Sequence, residues 1–273
     1  MHHIEIISQL EDQSLEQLNE LVEAAMQVDG HEPIGEHKFL RMKHGDDLAL
    51  GMLALEGERL VGYAHTITFG DGAERRVSCD VVVHPEARRR GIGARLIARV
   101  IEHAESQAAR QLDVWAYNDS PVSKHFAERF GLTAERQLMH MHRHPGEPPY
   151  IATPDSASIR AFMRGVDEQA LLALNNYIFE GHPENGAWTV DDLTARMAQP
   201  WFRADDVLIL EVDGRLAGFC WLKVEERGDE GFIGEINVIG TAPEYQGMGL
   251  GRFLLSRALS PLPARDVDAV AVY

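Results

Sequence analysis

The sequence predicts an α/β fold (α+β, with mixed sheets) built as two tandem domains. Three observations predict it. First, VVVHPEARRRGIG at 81–93 and IGTAPEYQGMGLG at 239–251 superpose without a gap, Pro85 on Pro243, Gly91 on Gly249 and Gly93 on Gly251, an offset of 158 residues. Each copy is an apolar strand, a Pro-containing turn, a glycine segment and an amphipathic helix, Ala94 to Ala104 or Arg252 to Leu259. Second, 273 residues suffice for two domains of ordinary size, each with its own core. Third, HPGEPPYIATP at 144–154 is rich in Pro and Gly, breaks both hydrophobic periodicities and marks a linker. The expected domains are 1–145 and 151–273.

In the first domain the apolar spacing predicts a strand at Ile4 to Ser8, a helix at Ser14 to Met26 capped by Ser14, and a short helix near Glu36 to Met42. Strands follow at Leu48 to Leu55, Arg59 to Thr68 and Arg75 to Val83, with Gly-Glu and Asp-Gly supplying the turns. After the glycine segment come the helix Ala94 to Ser106, a strand at Gln111 to Tyr117, a helix at Ser120 to Phe130 and a strand at Thr133 to His142.

Beyond the linker the pattern restarts: strand Ser158 to Met163, helix Asp167 to Ile178, helix Val190 to Ala198 after Thr189 as cap, and strands Val207 to Val212, Leu216 to Val224 and Phe232 to Ile239. The helix at 252–259 and a strand at Val267 to Tyr273 close the series. At the 158-residue offset Tyr273 matches Trp115, so the second copy stops roughly 27 residues before the place that matches His142. A second domain shortened at its C-terminus, without its final helix and strand, is the expectation.

Composition narrows the function. A net charge of −17 repels nucleic acid as a whole and leaves Arg88 to Arg90 as a local exception. No apolar run reaches the ~18 residues of a membrane span, and MHHIEIISQL lacks the basic-then-apolar order of an export signal. The two cysteines, Cys79 and Cys220, lie inside apolar strand patterns and read as reduced and structural, which makes a reducing cytoplasm the expected location; separately, a monomer is expected. Thirteen histidines form neither HExxH nor a Cys/His cluster, and no metal is expected; His140, His142 and His144 alternate as on one strand face.

A loop that leaves a strand and opens a helix presents the helix's unpaired N–H groups and the positive end of its dipole, which together bind an anion. Glycine there permits close approach and unusual backbone angles. In the first copy Arg88, Arg89 and Arg90 can add cationic side chains to that site; in the second, Gln246, Gly247 and Met248 leave the work to backbone amides. GxxxxGK followed by Ser or Thr is absent and GxGxxG is absent, which disfavours the other phosphate loops.

These residues resemble the coenzyme A pyrophosphate loop of the GCN5-related N-acetyltransferase (GNAT) family: Gln or Arg, two residues, Gly, one residue, then Gly or Ala. Arg88, Gly91 and Gly93 meet it once, and Gln246, Gly249 and Gly251 meet it again. The resemblance implies acetyl-CoA as co-substrate and two tandem GNAT domains. Acetyl transfer to an amine needs a neutral amine, an oxyanion donor and an acid for the departing thiolate. Glu235, on an otherwise apolar strand, is a candidate base; at the repeat offset it faces Val77, and the matching strand of the first half is expected to offer no such group.

GHPENGAW at 181–188, GFCWLKV at 218–224 and GEINVIGTAPEYQGMGLG at 234–251 further resemble the mycothiol synthase group, as does the tandem layout over nearly the full chain. That group acetylates the cysteinyl amine of a cysteinyl-glucosaminyl-inositol with acetyl-CoA, the last step of mycothiol biosynthesis. The resemblance places the active site in the second domain and a non-catalytic acetyl-CoA site in the first. It implies Glu235 as base through water, and acceptor contacts at Glu36, Glu184, Lys223, Glu235 and Tyr273. It implies coenzyme contacts at Ile239, Gly240, Thr241, Gln246, Gly247, Met248, Gly249, Leu250, Gly251 and Arg252. The first domain's counterparts are Val81, Val82, Val83, Arg89, Arg90, Gly91, Ile92, Gly93 and Ala94. The group's acidic tyrosine falls on the helix after the final strand, past Tyr273, so a molecule complete at Tyr273 is expected to show weak or absent turnover. Acetylation of another small amine, such as an aminoglycoside or a peptide N-terminus, and non-catalytic acyl-CoA binding are the alternatives.

Overall fold

The computed structural model of the protein describes residues 3–35, 38, 42, 48–144, 146, 148–182, 188–227 and 231–272. It divides into two compact units, Met1–Ala134 and Glu135–Tyr273, a boundary earlier in the chain than the Pro/Gly-rich segment.

The first unit holds a five-stranded mixed sheet: β1 (His3–Ile7), β2 (Ala49–Glu56), β3 (Arg59–Phe69), β4 (Arg76–Val83) and β5 (Gln111–Val114), in that spatial order. The first four pair antiparallel, and β4 with β5 is parallel. Helix α1 (Asp12–Asp29) covers one face, where Leu18, Leu21 and Ala25 bury against Leu53, Tyr63, Ile67 and Val82. Helix α2 (Ile92–Ser106) covers the other, setting Leu96, Ile97 and Val100 against Ala54, Ala64 and Cys79. The apolar spacing of i, i+3, i+4 in both helices supplies those stripes. Helix α3 (Pro121–Arg129) opens on a Ser120–Ser123 capping box.

The second unit repeats the plan with six strands in the order β6-β11-β10-β9-β8-β7: β6 (Met141–Arg143), β7 (Ala157–Ala161), β8 (Val207–Val212), β9 (Arg215–Glu226), β10 (Phe232–Thr241) and β11 (Ala269–Val272). Helices α4 (Glu168–Ile178) and α5 (Val190–Met197) lie on the face of Phe219, Trp221 and Val238. Helix α6 (Leu250–Leu259) lies on the opposite face with Cys220, Leu222 and Ile236. Thr189 caps α5 in a capping box with Asp192, as its spacing predicts.

Several element boundaries differ from expectation. Ser14 lies inside α1, which starts two residues earlier after Glu11, a cap that makes no side-chain hydrogen bond. The strand expected at Thr133 to His142 is only Met141–Arg143, and it belongs to the second unit, antiparallel to β11. Leu138 and Met139, which made the longer stretch look strand-like, are exposed, because strand structure needs a partner edge and β11 offers one only to three residues. Cys79 and Cys220 are buried and free, and burial pushes the Cys220 thiol up to about 12. His140 precedes β6 and its Nδ1 meets His142 Nε2 at 2.9 Å; among the described residues no three metal-ligating side chains cluster.

Candidate active site

In the second unit the site is laid out along β10. Its antiparallel ladder with β9 runs the whole strand, from Phe232↔Glu226 to Thr241↔Gly218. Its parallel ladder with β11 runs only from Ile233↔Ala269 to Ile236↔Val272. The register with β9 shifts between Ile236 and Val238, so Asn237 is an extra residue that bends the strand where the parallel ladder ends. Among the described residues β11 offers no partner from there to Thr241, and Ile239, Gly240 and Thr241 are half-buried.

Past Thr241 the chain makes a one-turn helix at Pro243–Tyr245 and reaches Gly247 and Gly249, both in the left-handed region at φ +77° and +79°. Gly249 is the N-cap of α6. Thr241, Tyr245, Gln246, Gly247, Gly249, Leu250, Gly251 and Arg252 line a cavity of about 360 Å³. A Cβ added at Gly251 meets no atom within 4 Å, so the missing side chain leaves the mouth of the helix N-terminus open to a ligand. Unpaired N–H groups, the helix dipole and Arg252 fit this cavity to a diphosphate.

Glu235 sits on the same strand, opposite Lys223 of β9. Its carboxylate accepts a hydrogen bond from Arg227 Nη2 at 2.5 Å, and Arg227 also donates to Glu225 Oε1 at 3.2 Å. Lys223 Nζ lies 3.0 Å from Glu225 and 5.3 Å over the Trp201 ring. Two acids and two bases therefore form one half-buried cluster beneath a wall of tryptophans, Trp201 and Trp221 being 6.2 Å apart. Lys223 is buried, not a solvated strand residue. Sequence reading missed Arg227, Glu225 and Trp201. The period-two spacing of 223, 225 and 227 on one strand face was the signal that could have found them. Glu36, Glu184 and Tyr273 lie outside the described residues.

The first unit repeats the frame. The β4–β5 ladder runs from Arg76↔Gln111 to Cys79↔Val114, and the strands then part, leaving Val81 and Val83 half-buried and Val82 buried in the α1-side core. A turn at Pro85–Ala87 leads to Gly91, the left-handed N-cap of α2, which is followed by Ile92, Gly93 and Ala94 in the first turn. Arg88 does not serve the anion site. Its guanidinium is held bidentate by Asp29 at 2.8 and 2.7 Å and donates to the Val83 carbonyl, and that arginine holds the Asp29 carboxyl below its usual range. Arg90 reaches Glu56 at 3.4 Å, while Arg89 takes φ +64°.

The expectation that the first half's central strand lacks a carboxylate is corrected. Asp80 stands on β4, fully buried and opposite His65, on the α1 side of the sheet. The offset comparison paired Glu235 with Val77 and overlooked it. At the repeat offset the two carboxylates stand three places apart, of which the bulge at Asn237 accounts for one, since β4 pairs with β3 without a shift.

The profile of the acetyltransferase (GNAT) family matches residues 15–132 and 173–272. A mycothiol acetyltransferase of Kineococcus radiotolerans is 40% identical over 93% of this chain and 82% of its own length. That of Thermomonospora curvata is 40% identical over 97% of this chain and 86% of its own. Among solved structures, a tandem GNAT protein from the clavulanic acid biosynthesis pathway is similar in fold (TM-score 0.68, 18% identity, 100% of this chain and 89% of that one). A GCN5-related N-acetyltransferase from Sphaerobacter thermophilus is similar too (TM-score 0.63, 18% identity, 98% and 85%). With the same glycine loop in each unit and relatives matching more than nine tenths of this chain, the chain belongs to the GNAT acetyltransferase family, as a tandem N-acetyltransferase of the mycothiol acetyltransferase group.

Proposed function

We propose that this protein transfers the acetyl group of acetyl-CoA to the cysteinyl amine of 1D-myo-inositol 2-(L-cysteinylamino)-2-deoxy-α-D-glucopyranoside, the last step of mycothiol biosynthesis. The acceptor is supported by the relatives, which carry that activity in their names. The chemistry is supported by one observation above others: β10 carries a carboxylate at Glu235 and leads at its other end to a glycine-lined cavity at a helix N-terminus. Ile239 lies four steps along the strand from Glu235, roughly 13 Å. A coenzyme gripped by Gln246 to Arg252 and lying along Ile239 to Thr241 brings its acyl end back toward Glu235.

In this reading Glu235 removes the proton of the incoming ammonium, through a water, so that a neutral amine attacks the thioester carbonyl. Lys223 pairs with Glu225, and Arg227 bridges Glu225 and Glu235 and so holds the Glu235 carboxylate in place. Glu36, Glu184, Lys223 and Tyr273 contact the acceptor, the acids suiting its cationic amine. The second unit is the catalytic one, and the first holds acetyl-CoA at Val81 to Val83 and Arg89 to Ala94 without turnover of the external acceptor. The protein works in the cytoplasm on a small molecule, as a monomer.

The test is a thiol-release assay with acetyl-CoA and a panel of amines: the cysteinyl pseudodisaccharide, glucosaminyl-inositol, an aminoglycoside and a peptide with a free N-terminus. The reading expects the cysteinyl compound to exceed the others in kcat/KM, and Glu235→Gln to lower that value ~10²- to 10⁴-fold. Equal rates across the panel, or full activity of Glu235→Gln, overturn it.

A further inference from the structure

The first unit buries a charge pair whose carboxylate has an apolar counterpart in the second unit. Asp80 is 0% exposed and Lys38 is 2% exposed. Lys38 Nζ lies 2.8 Å from Asp80 Oδ2 and 5.6 Å over the Trp115 ring. The Tyr117 hydroxyl donates to Asp80 Oδ1 at 3.3 Å, and Tyr117 is itself exposed, stacked on His31. In the second unit the residue at the repeat offset from Asp80 is Val238, which packs among Trp221, Trp188 and Phe219.

Such a pair is expensive. Withdrawing both charges from water costs several kcal/mol per ion, and apolar residues of similar volume often do as well or better. Its position is what gives it meaning. Asp80 is the first residue of β4 after the β4–β5 ladder ends at Cys79↔Val114, and it immediately precedes Val81 to Val83. It faces the α1 side with Tyr63 and Val82. An amine and a carboxylate are thus locked together at the head of the strand exit that leads to the Gly91 helix mouth. Burial also pushes the Asp80 carboxyl up, which suits it to accept a proton.

We propose that Lys38 is an internal acetyl acceptor: acetyl-CoA held by the first unit acetylates its Nζ, with Asp80 as base. This rests on the reading that the first unit's loop holds acetyl-CoA. The neutral Nζ attacks the thioester carbonyl, the N–C bond forms and the C–S bond breaks. Asp80 takes one proton as the Lys38 ammonium becomes the attacking amine, and the second proton that the nitrogen loses as the amide forms reaches the departing thiolate through Tyr117 or water, leaving free thiol and an amide at Lys38. The modified side chain has no charge to pair with Asp80, so acetylation removes the tie between residue 38 and the sheet.

The test uses the full chain and acetyl-CoA with no acceptor amine, read by intact mass and peptide mapping, with calorimetry for coenzyme stoichiometry. The expected result is about one acetyl group per chain at Lys38, formed at least ~10²-fold faster than at the exposed Lys124, with Asp80→Asn slowing Lys38 labelling by a similar factor. Because Asp80→Asn leaves a buried cation unpaired and can unfold the unit, the wild-type protein with acetyl phosphate is the second arm. That donor lacks the nucleotide and should label Lys124 and spare Lys38. Two coenzymes bound with Lys38 unmodified overturns the proposal alone and leaves the pair as a fixed tie. One coenzyme bound, with Lys38 unmodified, overturns it together with the reading of the first loop. Equal labelling of Lys38 by acetyl phosphate overturns it as ordinary chemical reactivity.

Discussion

Arg89 and Gly247 occupy the same place in the two loops, and both hold the left-handed backbone, at φ +64° and +77°. The geometry belongs to the loop and not to the residue, since an arginine and a glycine adopt it alike at the 158-residue offset. Holding a non-glycine residue there costs ~1–2 kcal/mol. Gly247→Ala should therefore lower stability by about 1 kcal/mol, seen as a lower melting temperature of the second unit. Arg89→Gly should not lower it, because relief of strain offsets the greater freedom of the unfolded chain. A loss of 2 kcal/mol or more in Arg89→Gly would contradict this account.

Gly251 offers a cleaner probe of the cavity. A Cβ there has no neighbour within 4 Å, so Gly251→Val should leave the melting temperature nearly unchanged while weakening acetyl-CoA binding by about tenfold or more. Calorimetry measures the binding, and a calorimetric scan measures the fold. Equal loss in both would mean that the glycine serves packing.

Arg227 tests how the base is held. Its donation to Glu235 and Glu225 predicts that Arg227→Met lowers kcat by roughly tenfold, within the range for losing a charged hydrogen bond, while the KM for acetyl-CoA stays near the wild-type value. Arg227→Lys should recover most of the rate. Steady-state kinetics on the three proteins decides it.

The acid limb of stability follows from two carboxylates. Asp167 is held low by hydrogen bonds from Arg160 at 2.6 and 2.9 Å, and Asp29 by hydrogen bonds from Arg88. A carboxylate depressed in the folded state adds stability that is present above its unfolded value, about 3.9, and is lost as pH falls through its lower folded value. Melting temperature should thus drop steeply below about pH 4, and Asp167→Asn should flatten that drop while lowering stability at neutral pH. Identical pH profiles for the two proteins would exclude this origin.

Much of the fold could be read in the chain because both glycine loops, the strand alternation and the Thr189 cap are local signals. The site was legible only where a motif names its residues, Gln246 to Arg252 and Glu235. The Lys38–Asp80 pair was not, since 42 positions separate its members and a single aspartate in a strand reads as a solvent-facing residue. The Arg227 contact depends on how the β9–β10 hairpin folds back, and the Asn237 bulge on which residue the ladder leaves unpaired. Those are consequences of tertiary pairing, which no short window of sequence encodes.

The short strand Met141–Arg143 has a practical consequence for dissecting the protein. Cutting the gene at the Pro/Gly-rich segment would strip β11 of its outer neighbour and leave a raw row of amide and carbonyl groups, a template for sticking to other chains. A C-terminal half begun at residue 135 keeps that row covered, so fragment studies that start there should stay dispersed where those started at 151 clump.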